Sequence, residues 1–253
     1  MRAALALLLA VAGCRGALPP LREAIDPGKD PFLVFVGGTG RAGGDLYAVP
    51  AGGGEALRIT YSGVGEMRPA LAPDGGAVAF LRGESLRDSA PGTLWVMNLL
   101  SGNERQLALP KGAAPPERVG WTDGGRSVVV AAGAERYRFA APPGPDRAHP
   151  VAAAERARVD SGLAVLLGEP AFATAVACGG GEDLCVVSAG DSGAPAPLAS
   201  GVRDPARWGP DSVAYVAGGA VLVRPLGPGR ERRVPLTGGP KAVRQITMFP
   251  GKR

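Results

Sequence analysis

A motif that recurs about every 45 residues constrains this chain more than any other feature of its sequence. Each unit opens on an apolar pair led by a leucine, and Leu46, Leu94 and Leu184 are spaced 48 and 90 residues apart. Each unit then reaches a tight turn, and the turns are listed here: Ala70-Leu-Ala-Pro-Asp-Gly75, Gly120-Trp-Thr-Asp-Gly124 and Arg207-Trp-Gly-Pro-Asp211. A period of 40 to 50 residues with several strands per unit is typical of propeller blades.

Short apolar runs fill the space between these turns. They are Phe32–Val36, Leu46–Val49, Ala77–Leu81, Leu94–Met97, Ser127–Val130, Ser212–Val216 and Ala220–Val223. Runs of four or five residues, rich in Val and bounded by Gly, Pro and Asp, predict strands. The best helical candidate is 151–165, but it has no good cap and Gly162 interrupts it. The fold class is therefore predicted to be all-β.

The repeat predicts a ring of sheets, because one four-stranded sheet cannot bury both of its faces. Stacking such sheets around an axis buries each face against a neighbour and leaves only short edges. We predict a single β-propeller of about five four-stranded blades over residues 31–253. The final unit, Ala220–Phe249, lacks a last strand, and Phe32–Val36 can supply it. The last blade would then be closed by the N-terminal strand.

The segment Arg68-Pro-Ala-Leu-Ala-Pro-Asp-Gly-Gly-Ala-Val-Ala-Phe80, followed by Leu94-Trp-Val-Met97, resembles the TolB-like or PD40 repeat, a relative of the WD40 repeat. The resemblance covers nearly all of residues 31–253. It is degraded around Tyr137–Ala177 and again at Met248–Gly251, where the Pro-Asp-Gly turn is missing or altered. It implies a periplasmic propeller that engages protein partners in the cell envelope. TolB itself carries an α/β domain before its propeller that has no counterpart in this sequence, so a stand-alone adaptor is expected.

The N-terminus predicts export. Arg2 is followed by an apolar run from Ala3 to Ala12, which is too short to span a bilayer. The ending Val11-Ala-Gly-Cys14 resembles the lipobox of bacterial lipoproteins, whose cysteine receives the lipid. We therefore predict a signal peptide at 1–13, lipidation of Cys14, and a flexible tether over 14–30. Arg15 is not the aspartate that retains enteric lipoproteins at the inner membrane, which favours the periplasm-facing outer membrane.

No catalytic, cofactor-binding or metal-binding residue is predicted. Gly38-Thr-Gly-Arg-Ala-Gly43 matches the dinucleotide pattern, but a strand follows it instead of the required helix, so a turn between blades is expected. The single histidine, His149, is predicted to be an exposed loop residue and cannot build a histidine-rich metal site. Trp95, Trp121 and Trp208 occupy repeat positions, which is typical of core residues.

Two further cysteines and several scattered acids are predicted to have structural roles. Cys178 and Cys185 flank a glycine-rich turn, and outside the cytoplasm they form either a disulfide or two buried thiols. Most of the scattered acids are predicted to lie in turns and cap backbone amides; the acids are Asp74, Asp123, Asp191, Asp204 and Asp211. The basic cluster Arg230, Arg232 and Arg233 is interpreted as a solvated turn.

These observations favour a non-catalytic adaptor lipoprotein, a monomer that binds an envelope protein. Its membrane contact would be through the lipid anchor alone, without nucleic acid or a cofactor. Two alternatives stay open: a propeller-type hydrolase or lyase, and a surface lipoprotein that binds carbohydrate or peptide.

Overall fold

A computed structural model describes residues 19–40, 43–83, 92–141, 144, 147–156, 159–160, 173–178, 183–188, 196–200, 202–209 and 211–252. One short helix, α1 (Pro19–Ala24), precedes the strands. In chain order the strands are β1 (Phe32–Gly40), β2 (Gly43–Pro50), β3 (Gly54–Glu55), β4 (Leu57–Arg58), β5 (Gly65–Leu71), β6 (Ala77–Gly83), β7 (Thr93–Asn98), β8 (Glu104–Leu107), β9 (Arg118–Thr122), β10 (Ser127–Ala132), β11 (Glu135–Ala140), β12 (His149–Pro150), β13 (Ala173–Cys178), β14 (Asp183–Ser188), β15 (Ala196–Ala199), β16 (Arg203–Trp208), β17 (Ser212–Ala217), β18 (Ala220–Pro225), β19 (Arg232–Arg233), β20 (Leu236–Thr237) and β21 (Val243–Phe249). The predicted all-β class is confirmed.

Five antiparallel sheets form the blades. Blade 1 has the order β21-β1-β2-β4, blade 2 is β5-β6-β7-β8, blade 3 is β9-β10-β11-β12 written from its inner strand, and blade 5 is β16-β17-β18-β19. Blade 4 has three strands among the described residues, in the order β13-β14-β15. The predicted propeller of about five blades is confirmed.

The two ends of the chain share blade 1, as predicted, but not in the predicted roles. Strand β18 (Ala220–Pro225) is the third strand of a complete blade 5 and not the opening of an unfinished last unit. The C-terminal strand β21 instead becomes the innermost strand of blade 1, and β1, β2 and β4 supply the rest. Strand β1 pairs on both sides and is buried on both faces, so it cannot be the outermost strand. A parallel pair, β3 with β20, ties the exit of blade 5 to blade 1.

The Pro-Asp-Gly turn forms as its residues predict. The Gly75 N–H donates to the Ala72 carbonyl at 2.9 Å, and the Gly76 N–H donates to Asp74 Oδ1 at 2.9 Å. Gly75 has φ +71, and a Cβ there would lie 2.6 Å from the ring of Phe249. Glycine is therefore required twice, for its backbone conformation and for the close approach of blade 1.

Apolar side chains between successive blades form the core. Phe80 and Val78 of blade 2 pack with Phe32 and Val34 of blade 1. The other described interfaces are built the same way: Phe35 with Val221 between blades 1 and 5, Leu81 with Val130 between blades 2 and 3, and Leu198 with Tyr215 between blades 4 and 5. At these four described interfaces each blade buries an apolar face on its neighbour, which is how a propeller forms its core without a helix layer.

The N-terminal segment enters this core earlier than the sequence suggests. Leu21 and Ile25 are 0% and 1% exposed and lie in the cluster between blades 1 and 2. The tether predicted for 14–30 is therefore too long, because residues from α1 onward are docked on the propeller. The physical reason is that Leu21 and Ile25 are four residues apart, so their side chains lie on one side of a helical turn and can be buried together. Residues 1–13 and Cys14 lie outside the described part of the chain.

Two smaller features complete the fold. Within 151–165 a 3₁₀ turn covers Ala153–Glu155, and Val151 and Val159 pack on blade 3. Among the described residues, no helix has both the length and the hydropathy needed to cross a membrane.

Candidate functional site

Three neighbouring inner strands carry the same irregularity. In β5, β16 and β21 the pairing register shifts so that two residues oppose a single aromatic residue of the next strand. The bulged pairs and their partners are Arg68-Pro69 against Phe80, Asp204-Pro205 against Tyr215, and Gln245-Ile246 against Phe35. These strands are the innermost of blades 2, 5 and 1, so the bulges border one side of the central axis.

The first residue of each bulge adopts a left-handed backbone conformation. Arg68, Asp204 and Gln245 have φ of 53°, 50° and 48°, and we call these three residues the axial arc. Asp123, in a turn of blade 3, is the other non-glycine residue with positive φ among the described residues. A left-handed conformation costs roughly 1 to 2 kcal/mol per residue, so three of the four strained non-glycine residues in the described segments lie at the axis.

Hydrogen bonds between the neighbouring strands β5 and β21 join two members of the arc, Arg68 and Gln245. The Arg68 N–H, which the bulge removes from the strand ladder, donates to Gln245 Oε1 at 2.6 Å. Further along the same two strands, the Leu71 N–H donates to Thr247 Oγ1 at 3.2 Å. Side chains of β21 therefore satisfy backbone donors of β5, and blades 1 and 2 are joined at their inner strands.

A buried acid fixes the strand that carries Arg68. Glu66 is 0% exposed and accepts hydrogen bonds from Thr60 Oγ1 at 3.1 Å, Ser62 Oγ at 2.5 Å and Arg82 Nε at 3.0 Å. Burial raises the pKa of the Glu66 carboxyl, while Ser62, Arg82 and Thr60 act in the opposite direction. Because a buried carboxylate needs such partners, the start of β5 is held in one position.

Arg82 extends this network toward the rim of blade 2. Its two terminal nitrogens donate to Glu104 at 2.8 and 3.0 Å, and its guanidinium lies 4.4 Å from the centre of the Trp95 ring. Two carboxylates and an aromatic face therefore surround one arginine, which is only 10% exposed. This bidentate and stacked geometry is specific to arginine.

The loop above Glu66 exposes apolar surface. Tyr61 is 66% and Val64 is 37% exposed, on the segment between β4 and β5. The Arg58 guanidinium lies 4.7 Å from the centre of the Tyr61 ring, and Arg58 also pairs with Asp45 at 2.7 Å. The loop lies on the face where the inner strands begin, and its conformation is fixed by Thr60 and Ser62 binding to Glu66.

The bulges were not predicted from the sequence, although a signal was present. A proline inside a strand is confined to edges and bulges, and Pro69 and Pro205 each follow a residue of the axial arc. Among the acids, of which most were predicted to lie in turns, Asp204 lies instead in the bulge of β16. Asp74 does cap its turn, and Asp123 accepts a hydrogen bond from Ser127 Oγ at 2.9 Å.

The glycine-rich pattern at 38–43 is a hairpin. Gly40 opposes Gly43, and strand β2 starts at Gly43, so no helix follows the glycines. A turn was predicted here and is confirmed, but it lies between two strands of blade 1 and not between blades.

Of the two cysteines predicted to form a disulfide or remain as buried thiols, only Cys185 has a described side chain. Cys185 is 5% exposed and is disulfide-bonded. In the hairpin of blade 4, Cys185 opposes Val176 and Cys178 opposes Asp183, so the two cysteine positions are diagonal neighbours. The side chain of Cys178 lies outside the described residues, and its pairing with Cys185 stays a prediction.

The remaining candidates have ordinary surroundings. His149 is exposed, in the short edge strand β12 opposite Arg138, and not in a loop. Trp121 and Trp208 are each 9% exposed inside blade interfaces, and Trp95 is partly buried, as predicted for core residues. Asp191 lies outside the described residues. In the described part of the chain, no group of three or more His, Cys, Asp or Glu side chains is placed to hold a metal ion.

A separate cleft of about 520 Å³ lies between blades 2 and 3, near Trp121 and Asp74. Its polar groups are already used within the protein. Asn98 Oδ1 accepts from the N–H groups of Leu100 and Ser101, and Trp121 Nε1 donates to the Ala70 carbonyl. The axial arc, which joins three blades, is therefore the stronger candidate.

The fold and the arc define a five-bladed β-propeller with a strained polar arc at its axis. No family model and no curated protein matches the sequence. Among solved structures, TolB from Acinetobacter baumannii is similar with a TM-score of 0.56 and 12% identity, over 90% of this chain and 68% of that chain. A putative TolB from Agrobacterium tumefaciens matches with a TM-score of 0.34 and 14% identity, over 76% of this chain and 56% of that chain. The apo AtxE2 isopeptidase matches with a TM-score of 0.40 and 12% identity, over 81% of this chain and 46% of that chain. The fold is thus a TolB-like β-propeller.

Proposed function

We propose that this chain is an exported envelope protein, lipid-anchored through Cys14, whose propeller binds a protein partner at the axial arc without catalysing a reaction. The observation that carries the proposal is the clustering of three left-handed residues on adjacent inner strands. Strain of this kind persists where a binding site needs it. The likeness of the fold to TolB supports an envelope role.

The chemistry of the arc suits a polypeptide ligand. Arg68, Asp204 and Gln245 offer a cation, an anion and an amide at partly exposed positions. A peptide presents carbonyl groups, N–H groups and charged side chains, and can be complementary to all three. The exposed Tyr61 beside the inner strands adds an aromatic contact of the kind enriched in protein interfaces.

Glycine substitutions separate binding from folding. We expect Arg68→Gly with Gln245→Gly to abolish partner capture while leaving the free energy of unfolding within about 1 kcal/mol of wild type. Relief of two strained conformations offsets the lost hydrogen bond and the entropy of glycine. A photoreactive residue in place of Arg244, at the start of β21, reports capture in envelope extracts, and one in place of Arg126, in a turn of blade 3, is the control.

One envelope protein crosslinked from position 244, absent from position 126 and lost in the glycine variant, supports the proposal. Equal crosslinking from both positions contradicts it. Turnover of a small substrate that the same two substitutions abolish would replace it with an enzymatic function.

A further inference from the structure

The net positive charge of this chain is concentrated at its C-terminal end. Residues 203–253 contain ten Lys and Arg against three Asp and Glu, whereas residues 1–202 contain 18 against 20. The whole excess of +5 therefore comes from blade 5 and the strand that follows it. An asymmetry of this size points to an anionic partner.

The fold gathers five of these residues on one blade. The blade 5 arginine cluster consists of Arg207, Arg224, Arg230, Arg232 and Arg233, all exposed except the half-buried Arg224. The strand register places Arg207 and Arg224 on either side of Val213, in one row across the blade. Arg232 and Arg233 form the outermost strand, which has no further strand beside it in the described structure.

The five arginines of the cluster outnumber the three carboxylates of blade 5, Asp204, Asp211 and Glu231, so the blade keeps a net positive charge. Glu231 accepts a hydrogen bond from the Tyr215 hydroxyl, and burial together with this bond raises the pKa of Tyr215 to about 12. Asp211 accepts from Ser212 Oγ at 3.1 Å. Within the described residues, Arg230 and Arg233 form no salt bridge, and the Arg232 guanidinium lies over the Trp208 ring at 4.9 Å.

The cluster lies on the same side of the ring as the N-terminal entry. The loop between β18 and β19, which carries Arg230, joins strands at the end of the blade where the Pro-Asp-Gly turns lie. The N-terminal segment reaches that end too, because Gly28 lies against the Asp74 carbonyl and the Lys252 N–H donates to the Lys29 carbonyl at 3.0 Å. Only six residues lie between Cys14 and the buried Leu21, which limits the distance between the two residues to about 25 Å.

We propose that the blade 5 arginine cluster docks on the anionic phospholipid headgroups of the membrane that holds the lipid anchor. Guanidinium groups bind phosphate through paired N–H donors and are weakly hydrated, which suits a headgroup layer. An acyl chain and a basic patch on one side of a protein reinforce each other, because each is a weak membrane signal alone. This inference rests on the lipid anchor of the proposed function, but it does not require the axial arc.

Vesicle binding of the full chain tests it. The probes are vesicles of phosphatidylcholine alone and vesicles of phosphatidylcholine mixed with the anionic lipid phosphatidylglycerol. We expect Arg230→Gln, Arg232→Gln and Arg233→Gln together to weaken binding to the anionic vesicles about a hundredfold, since each arginine is worth roughly fivefold near such a surface. The control variant removes the same charge from exposed sites elsewhere, with Lys111→Gln, Arg118→Gln and Arg126→Gln.

Loss in the cluster variant, retention in the control and an unchanged melting temperature support the proposal. Four results would overturn the proposal. Equal loss of vesicle binding in both variants would show that only the net charge matters, and equal binding to both kinds of vesicle would assign the binding to the apolar N-terminus. Release of the protein from anionic vesicles by millimolar inorganic phosphate, or tighter binding to a DNA duplex, would point to a different anionic ligand. The Arg68→Gly, Gln245→Gly variant should bind vesicles normally, so failure of one proposal leaves the other testable.

Discussion

Replacing Arg82 with methionine should destabilise the protein by leaving Glu66 charged and buried without a cation. Glu66 is 0% exposed, and its partner Arg82 lies 3.0 Å away with 10% exposure. Removing one member of a buried pair costs about 3 to 5 kcal/mol. Thr60 and Ser62 still donate to the carboxylate, and methionine keeps most of the contact with Trp95, so we expect about 3 kcal/mol. That is a large part of the 5 to 15 kcal/mol typical of a folded domain.

The loss should depend on pH. Burial already raises the pKa of Glu66 above its ordinary value of 4.5, and removal of Arg82 raises that pKa further. A carboxyl whose pKa is higher in the folded state contributes stability when protonated, and loses that contribution as the pH rises through its folded pKa. The variant is therefore most destabilised relative to wild type at neutral pH, and the difference shrinks as the pH falls toward 4.5.

Urea unfolding of the wild type and of Arg82→Met, measured between pH 7 and pH 4.5, gives this difference directly. Glu66→Gln added to Arg82→Met should restore part of the stability at pH 7, because a neutral amide keeps the hydrogen bonds without the buried charge. A difference below about 1 kcal/mol, or one that is the same at every pH, would refute the assignment of a charged Glu66 held by Arg82.

Two further substitutions test the packing of the ring. Gly75→Ala should lower the free energy of unfolding by about 2 kcal/mol or more, because its Cβ meets Phe249 at 2.6 Å and its φ is +71. Gly112→Ala is the control, with φ +86 and no neighbour within 4 Å, and should cost about 1 kcal/mol. Thermal unfolding measures both. Leu21→Ala should cost about 2 to 4 kcal/mol in urea, while Glu23→Ala, on the exposed side of α1, should cost almost nothing. Equal effects of the two glycine changes, or a neutral Leu21→Ala, would contradict the packing described for blades 1 and 2.

Local sequence patterns predicted many of the strands and turns of the fold. Strands such as Ala77–Gly83 follow from short apolar runs, and the Asp74 turn follows from the conformational preferences of Pro, Asp and Gly. The hairpin at the 38–43 glycines could be distinguished from a dinucleotide site because a strand follows them.

The candidate site was largely hidden because its parts are distant in the sequence. Arg68 and Gln245 are 177 residues apart, and only ring closure brings Gln245 Oε1 to the Arg68 N–H. Glu66, Arg82 and Glu104 likewise meet only when all four strands of blade 2 pair. No local pattern encodes such pairings, although Pro69 and Pro205 marked where two of the strands bulge.

The sequence by itself determined the repeat, the strand class and the turns, because each of these depends on residues within one period of about 45. The number of such periods predicted about five blades. The tertiary structure alone decided that the C-terminal strand is the inner strand of blade 1, that Leu21 is buried, and that three strained residues meet at the axis. These outcomes depend on which distant surfaces become neighbours when the ring closes, and that is set by the burial of whole blade faces and not by any local preference.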